Sequence, residues 1–111
     1  MIVTPHSRVT PKAGQLYEHV GDKLGQANVY LAIARIKDDD ALYLKAIEAH
    51  SAVKGIYSVA TDKYYFGISL IKRHDIPRGR VLLQEARIRF ESIHFEPGVS
   101  AVDAQLEQLN D

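Results

Sequence analysis

The residues with the most chemistry in this 111-residue chain are five histidines, six serines and a run of three aspartates. His6, His19, His50, His74 and His94 include no pair spaced i,i+3 or i,i+4, the spacing that sets two imidazoles on one helical face, so no metal site is expected. Asp38-Asp39-Asp40 lacks the further oxygen ligands and late glutamate of a calcium loop and reads as helix initiation. None of Ser7, Ser51, Ser58, Ser69, Ser92 and Ser100 sits in a nucleophile elbow, and no glycine-rich phosphate loop is present. No catalytic residue and no cofactor is assigned, and an enzyme is not expected.

Charge and aromatic patterning point toward binding instead. Lys72, Arg73, Arg78, Arg80, Arg87 and Arg89 face only Asp75 and Glu85 in sequence, whereas Glu96, Asp103, Glu107 and Asp111 leave the last segment acidic. Opposed patches of this kind steer association and weaken with salt. Arg87 and Arg89 fall on different helix faces, so a solvated face is the plainer expectation. Tyr64 and Tyr65 are adjacent and cannot both point into a core, which makes one of them a surface candidate.

Fourteen Lys and Arg balance fourteen Asp and Glu, so the chain lacks the net field of a nucleic-acid or anionic-membrane binder. With no cysteine there is no disulfide framework, and a cytoplasmic location is expected. No apolar run is long enough for a signal sequence or a membrane span.

The elements that must position these residues are all helices. Apolar spacing and turn residues predict helices over 13–20, 23–37, 40–57, 61–74, 77–94 and 99–109, after an irregular segment 1–12. Gly21-Asp22 is expected to separate the first two, Thr61 or Asp62 to cap the fourth, and Pro77 and Pro97-Gly98 to punctuate the last three. A single helix running through the aspartates remains an alternative for the second and third.

Two stretches about 74 residues apart also repeat each other. Ala13, Tyr17, Val20, Gly25 and Ala27 are answered, with one insertion, by Ala86, Phe90, Ile93, Gly98 and Ala101. Half that separation, about 37, is a period of stacked helix pairs. The junction Val20-Gly21-Asp22-Lys23-Leu24-Gly25-Gln26-Ala27, with Tyr30, Ile33 and Ala34 after it, Phe66-Gly67 33 positions on, and Gly79, Leu83 and Ala86, resembles the tetratricopeptide repeat (TPR) family. Lys63 and Lys37 stand where that family prefers aromatic residues, so the repeats are degenerate. The resemblance implies an all-α fold of antiparallel helix hairpins, stacked over 13–109 as a short TPR-like α-solenoid of about two and a half repeats. Residues 38–57 fit it in two registers. The chain would begin and end within a repeat, as a piece of a longer array or as a module whose open ends are covered by another copy.

In such arrays the first helix of each pair lines a concave groove whose usual guest is a peptide. The resemblance places Asn28, Leu31 and Arg35 from one repeat, and Thr61, Tyr64, Ile68 and Lys72 from the next, on that groove. Only Asn28 loosely fits the set with which some relatives clamp a C-terminal carboxylate, so that activity is not expected. The leading expectation is a non-enzymatic scaffold binding a peptide or partner helix. Self-association, as an oligomerisation element of a larger regulator, is the first alternative, and a small-ligand or signalling-peptide sensor the second.

Overall fold

The computed structural model describes residues 11–110, with side chains described over 22–110. Five helices make up the described residues: α1 (Pro11–Lys37), α2 (Asp40–Ala52), α3 (Ile56–Lys72), α4 (Ile76–Ser92) and α5 (Glu96–Leu109). Most of the expected irregular segment 1–12 lies outside the described residues, but its Pro11 and Lys12 are helical. The side chains of Leu16, Tyr17 and His19 are likewise outside them.

Two boundaries differ from expectation. The break at Gly21-Asp22 is absent, and α1 runs through it for 27 residues. An interior glycine costs a helix only about 1 kcal/mol, and it ends one only by taking a left-handed conformation, which no glycine here does. Between α2 and α3 the chain turns at Val53-Lys54-Gly55, earlier than expected, so α3 begins at Ile56 with Gly55 as N-cap. Thr61 and Asp62 are therefore interior to α3 rather than caps, with the Thr61 hydroxyl donating to the Tyr57 carbonyl at 2.9 Å.

The turns share one construction. Lys54, His74 and His94 take left-handed conformations with φ of 57°, 71° and 57°. In each, the left-handed residue's N–H returns to the helix's last turn and the next N–H reaches one carbonyl further back, as in Asp75 N–H to Leu70 O at 2.8 Å and His74 N–H to Ile71 O at 2.9 Å. This is the Schellman arrangement without its usual glycine. The residue that closes each turn (Gly55, Asp75 or Phe95) is also the N-cap of the next helix, and the Asp75 carboxylate accepts from Arg78 N–H. Asp38, with φ of 53°, ends α1, and the Asp39 carboxylate caps α2. The aspartate run thus terminates one helix and starts another, which settles the alternative of a single helix.

Each helix packs on the one that follows, and the short turns reverse the chain between them. α3 also touches α1 and α5, while α2 and α4 meet only through side chains, as where Arg78 lies 3.8 Å from Asp40. Hence α1, α3 and α5 form one layer and α2 and α4 the other. One core cluster joins Ala34, Tyr43, Phe66 and Leu70, with Tyr43 stacked on Phe66 at 4.9 Å. The other joins Ala60, Leu83, Ala86, Phe90, Val99 and Val102. Between them α3 and α4 approach closely: a Cβ on Gly79 would lie 2.8 Å from the Gly67 carbonyl oxygen. Lys63 spans the same pair of helices, its ammonium 2.7 Å from Glu85, so a lysine fits where an aromatic residue was expected.

Candidate partner-binding groove

The α3 face turned toward α1 and α5 carries Tyr57, Thr61, Tyr64, Tyr65, Ile68 and Lys72, spaced so that the side chains form one stripe along the helix. Two clefts open on it. The first, of about 230 Å³, lies between the C-terminal ends of α1 and α3 and is bounded by Arg35, Asp38, Tyr43, Tyr65, Ile68, Ser69 and Lys72. The second, of about 160 Å³, lies between the N-terminal ends of α3 and α5, where Tyr57, Thr61, Tyr64 and Tyr65 meet Phe90, Phe95 and Pro97. Tyr65 borders both.

In the first cleft the Arg35 guanidinium lies 3.8 Å above the Tyr65 ring, a cation–π contact that leaves the cation's outer edge for another acceptor. Asp38 is held in place by Ser69, whose hydroxyl donates to it at 2.7 Å, and by Lys72, whose ammonium is 3.3 Å away. The Ser69 bond keeps the Asp38 carboxyl below its ordinary range, with Lys72 assisting. Burial raises the Tyr43 phenol, and the charge of Asp38 adds to that effect. The left-handed turn at Asp38 is what swings this carboxylate from the end of α1 over to α3.

In the second cleft the rings meet edge to face. Tyr57 is 5.1 Å from Phe95 at 87°, and Tyr64 is 5.2 Å from Tyr65 at 71°. Such T-shaped contacts turn both ring faces and ring edges toward the cleft.

The residues expected in a groove divide among these places. Arg35, Ile68 and Lys72 share the first cleft, and Thr61 and Tyr64 line the second. Leu31 is half-buried against the Tyr43–Phe66 cluster, which makes it a packing residue. Asn28 is exposed, and its Oδ1 accepts from the Nε2–H of His50 at 3.0 Å. Tyr65, Asp38 and Ser69 join the site without having been singled out for it. The Tyr64-Tyr65 pair was the available signal, and both members, half-buried, border clefts.

The basic run does not form a patch. Arg73 pairs with Asp40 at 2.5 Å, Arg78 with Asp75 at 3.3 Å, and Arg87 with Asp103 at 2.7 Å. Asp75 is the N-cap of Arg78's own helix, whereas Asp40 comes from α2 and Asp103 from the acidic last segment.

A second polar constellation lies deeper. His50 of α2 and Asp62 of α3 are 1 % and 0 % exposed, and the His50 Nδ1–H donates to Asp62 Oδ2 at 2.6 Å. With Asn28 on its other nitrogen, His50 links Asp62 of α3 to α1 through both sides of its ring. Asp62 Oδ1 has no partner. Burial pushes the Asp62 carboxyl up to about 6, against the lowering effect of His50. No hydroxyl reaches His50, and Asn28 occupies the nitrogen a general base would use. Among the described residues, no three His, Cys, Asp or Glu side chains gather as metal ligands. No helix there is long and apolar enough to cross a membrane.

No family model, curated protein or solved structure matches the chain.

Proposed function

We propose that this chain is a protein-binding scaffold of TPR-like architecture, whose α1–α3–α5 layer is a concave face that holds an extended segment of a partner. The observation that carries this reading is the convergence of Arg35, Tyr65, Ile68 and Lys72 on one open cleft that continues along α3. Those side chains supply two cations, an aromatic plane and an apolar floor, the mixture that anchors peptide backbones and carboxylates. The TPR-like reading draws support from Ala34, Gly67, Gly79, Leu83 and Ala86, all buried where the family's small, large and small positions would sit. The turn spacing agrees as well. Asp38 to His74 and Lys54 to His94 are 36 and 40 residues apart, on either side of the expected period.

The test is selection of peptide ligands from a random display library, followed by counter-screening against Arg35→Glu and Ile68→Asp variants of unchanged helicity. Ligands lost in both variants support the groove. Ligands indifferent to both refute it.

One observation favours self-association as a second reading. Val29 and Ile36 lie on the same outer side of α1 and are 54 % and 81 % exposed, and Leu44 on α2 is 55 % exposed. In a stacked array that side would meet a preceding helix pair. If it instead meets a second copy, light scattering will show a mass that doubles with concentration and returns to that of a monomer in Ile36→Glu.

A further inference from the structure

The two clefts adjoin at Tyr65 along the α3 stripe, and the two ends of that stripe differ in chemistry. From Tyr57 to Lys72 the stripe on α3 spans fifteen residues, about 22 Å of helix at 1.5 Å per residue. At one end Tyr57, Tyr64 and Phe95 present ring faces and edges, and Tyr57 is 49 % exposed. At the other, Arg35 has no acid partner among the described residues, and Lys72 is shared only with Asp38. The phenol hydroxyls of Tyr57, Tyr64 and Tyr65 make no hydrogen bond among those residues and are not buried unsatisfied atoms, so they are available to a ligand.

The clefts at the stripe's two ends measure about 230 and 160 Å³ and are open to solvent, so an occupant lies across them rather than inside them. A polyproline II segment meets each requirement. It rises about 3.1 Å per residue, so about seven residues cover the stripe, and its carbonyls carry no internal hydrogen bonds and can accept from tyrosine hydroxyls. Its stiff pyrrolidine rings pack against an aromatic-lined surface at little entropic cost.

From this we infer that the groove's partner is a proline-rich segment of about seven residues in polyproline II form, with its prolines on the cleft lined by Tyr57, Tyr64 and Phe95 and an acidic residue at the Arg35–Lys72 end. The inference rests on the proposed reading of this face as a peptide groove.

Fluorescence anisotropy on the full chain tests it. The probes are hexaproline carrying one terminal aspartate in either chain direction, a glycine–serine heptamer with the same acid, and an amphipathic helical peptide. The expected result is that one proline peptide binds at least tenfold more tightly than the glycine–serine heptamer and weakens with salt. It should also lose at least fivefold in both Tyr57→Ala and Arg35→Glu, with melting curves showing that the variants are folded. Equal binding of the proline and glycine–serine peptides overturns the proline inference and leaves the extended-peptide groove standing. Preference for the helical peptide, with loss in Arg35→Glu, overturns the inference but keeps the face as a groove. Failure of every peptide to bind at about 1 mM, or binding indifferent to both substitutions, overturns the inference and the groove together.

Discussion

The imidazole of His50 and the carboxylate of Asp62 face each other at 2.6 Å inside the helical stack, both sealed from solvent, and Asn28 extends the link to a third helix. Forty residues beyond His50 stands Phe90, 4 % exposed at the corresponding place in the second hairpin, its carbonyl accepting the N–H that closes the turn as the His50 carbonyl does. A hydrogen-bonded polar pair thus occupies a site where the other hairpin uses an aromatic ring. Removing one member leaves the other buried without its partner, while replacing both with apolar residues is close to neutral. His50→Leu is expected to lower unfolding free energy by about 1–3 kcal/mol, and the His50→Leu, Asp62→Leu double variant to recover most of it. Urea titrations of the two variants decide this; a double variant as weak as the single one contradicts it.

The same pair gives stability a pH dependence. The Asp62 carboxyl titrates near 6 in the folded chain against 3.8 when unfolded. Between those values the folded state binds more protons, so the slope of unfolding free energy with pH is negative. The contribution is fully present below pH 3.8 and is lost as pH rises through 6, an effect of about 3 kcal/mol at 1.36 kcal/mol per pKa unit. The stability of the parent chain relative to Asp62→Asn should therefore fall from pH 4 to pH 6 and then level off. Urea midpoints measured at half-unit steps would show a flat difference if Asp62 is not perturbed.

Three turns hold Lys54, His74 and His94 in left-handed conformations that side chains with a Cβ adopt at a cost of about 1–2 kcal/mol. Glycine removes that cost and gives part of it back through a freer unfolded chain. His74→Gly and His94→Gly are each expected to stabilise by about 0.5–1 kcal/mol, with the denaturant slope unchanged. Destabilisation by either would mean that its side chain makes contacts that outweigh the strain.

Two glycines should respond with opposite signs to the same substitution. Gly25 sits within α1 with nothing inside 4 Å of a would-be Cβ, so Gly25→Ala should add about 0.5–1 kcal/mol by helix propensity. At Gly79 the new methyl would meet Ile71 at 2.5 Å and the Gly67 carbonyl at 2.8 Å. Gly79→Ala must push α3 and α4 apart, at a cost of about 1–3 kcal/mol. Thermal melts of the two variants should shift in opposite directions, and a shared direction would refute the close approach.

How far the sequence revealed this molecule follows from the same residues. Helical identity was legible because buried residues recur at helical spacing, as with Tyr43, Ala46 and His50 along α2. The break at Gly21 was misread because a glycine marks a helix end only when the chain needs a left-handed residue there. In this chain that need falls on Lys54, His74 and His94, which carry no such signal. Arg35, Ile68 and Lys72 were placed together by register alone. Asp38 was read for its acid and not for the turn that brings it over to Ser69. The buried pair escaped notice because His50 and Asp62 are twelve residues apart, across a turn that only the folded chain closes.

The central claim, that the α3 face holds a peptide, is tested most directly by amide NMR of the chain titrated with a display-selected peptide. The account predicts shift changes concentrated at Arg35 and along Tyr57, Thr61, Tyr64, Tyr65, Ile68 and Lys72. Changes confined to Val29, Ile36 and Leu44, with the α3 face silent, would contradict it.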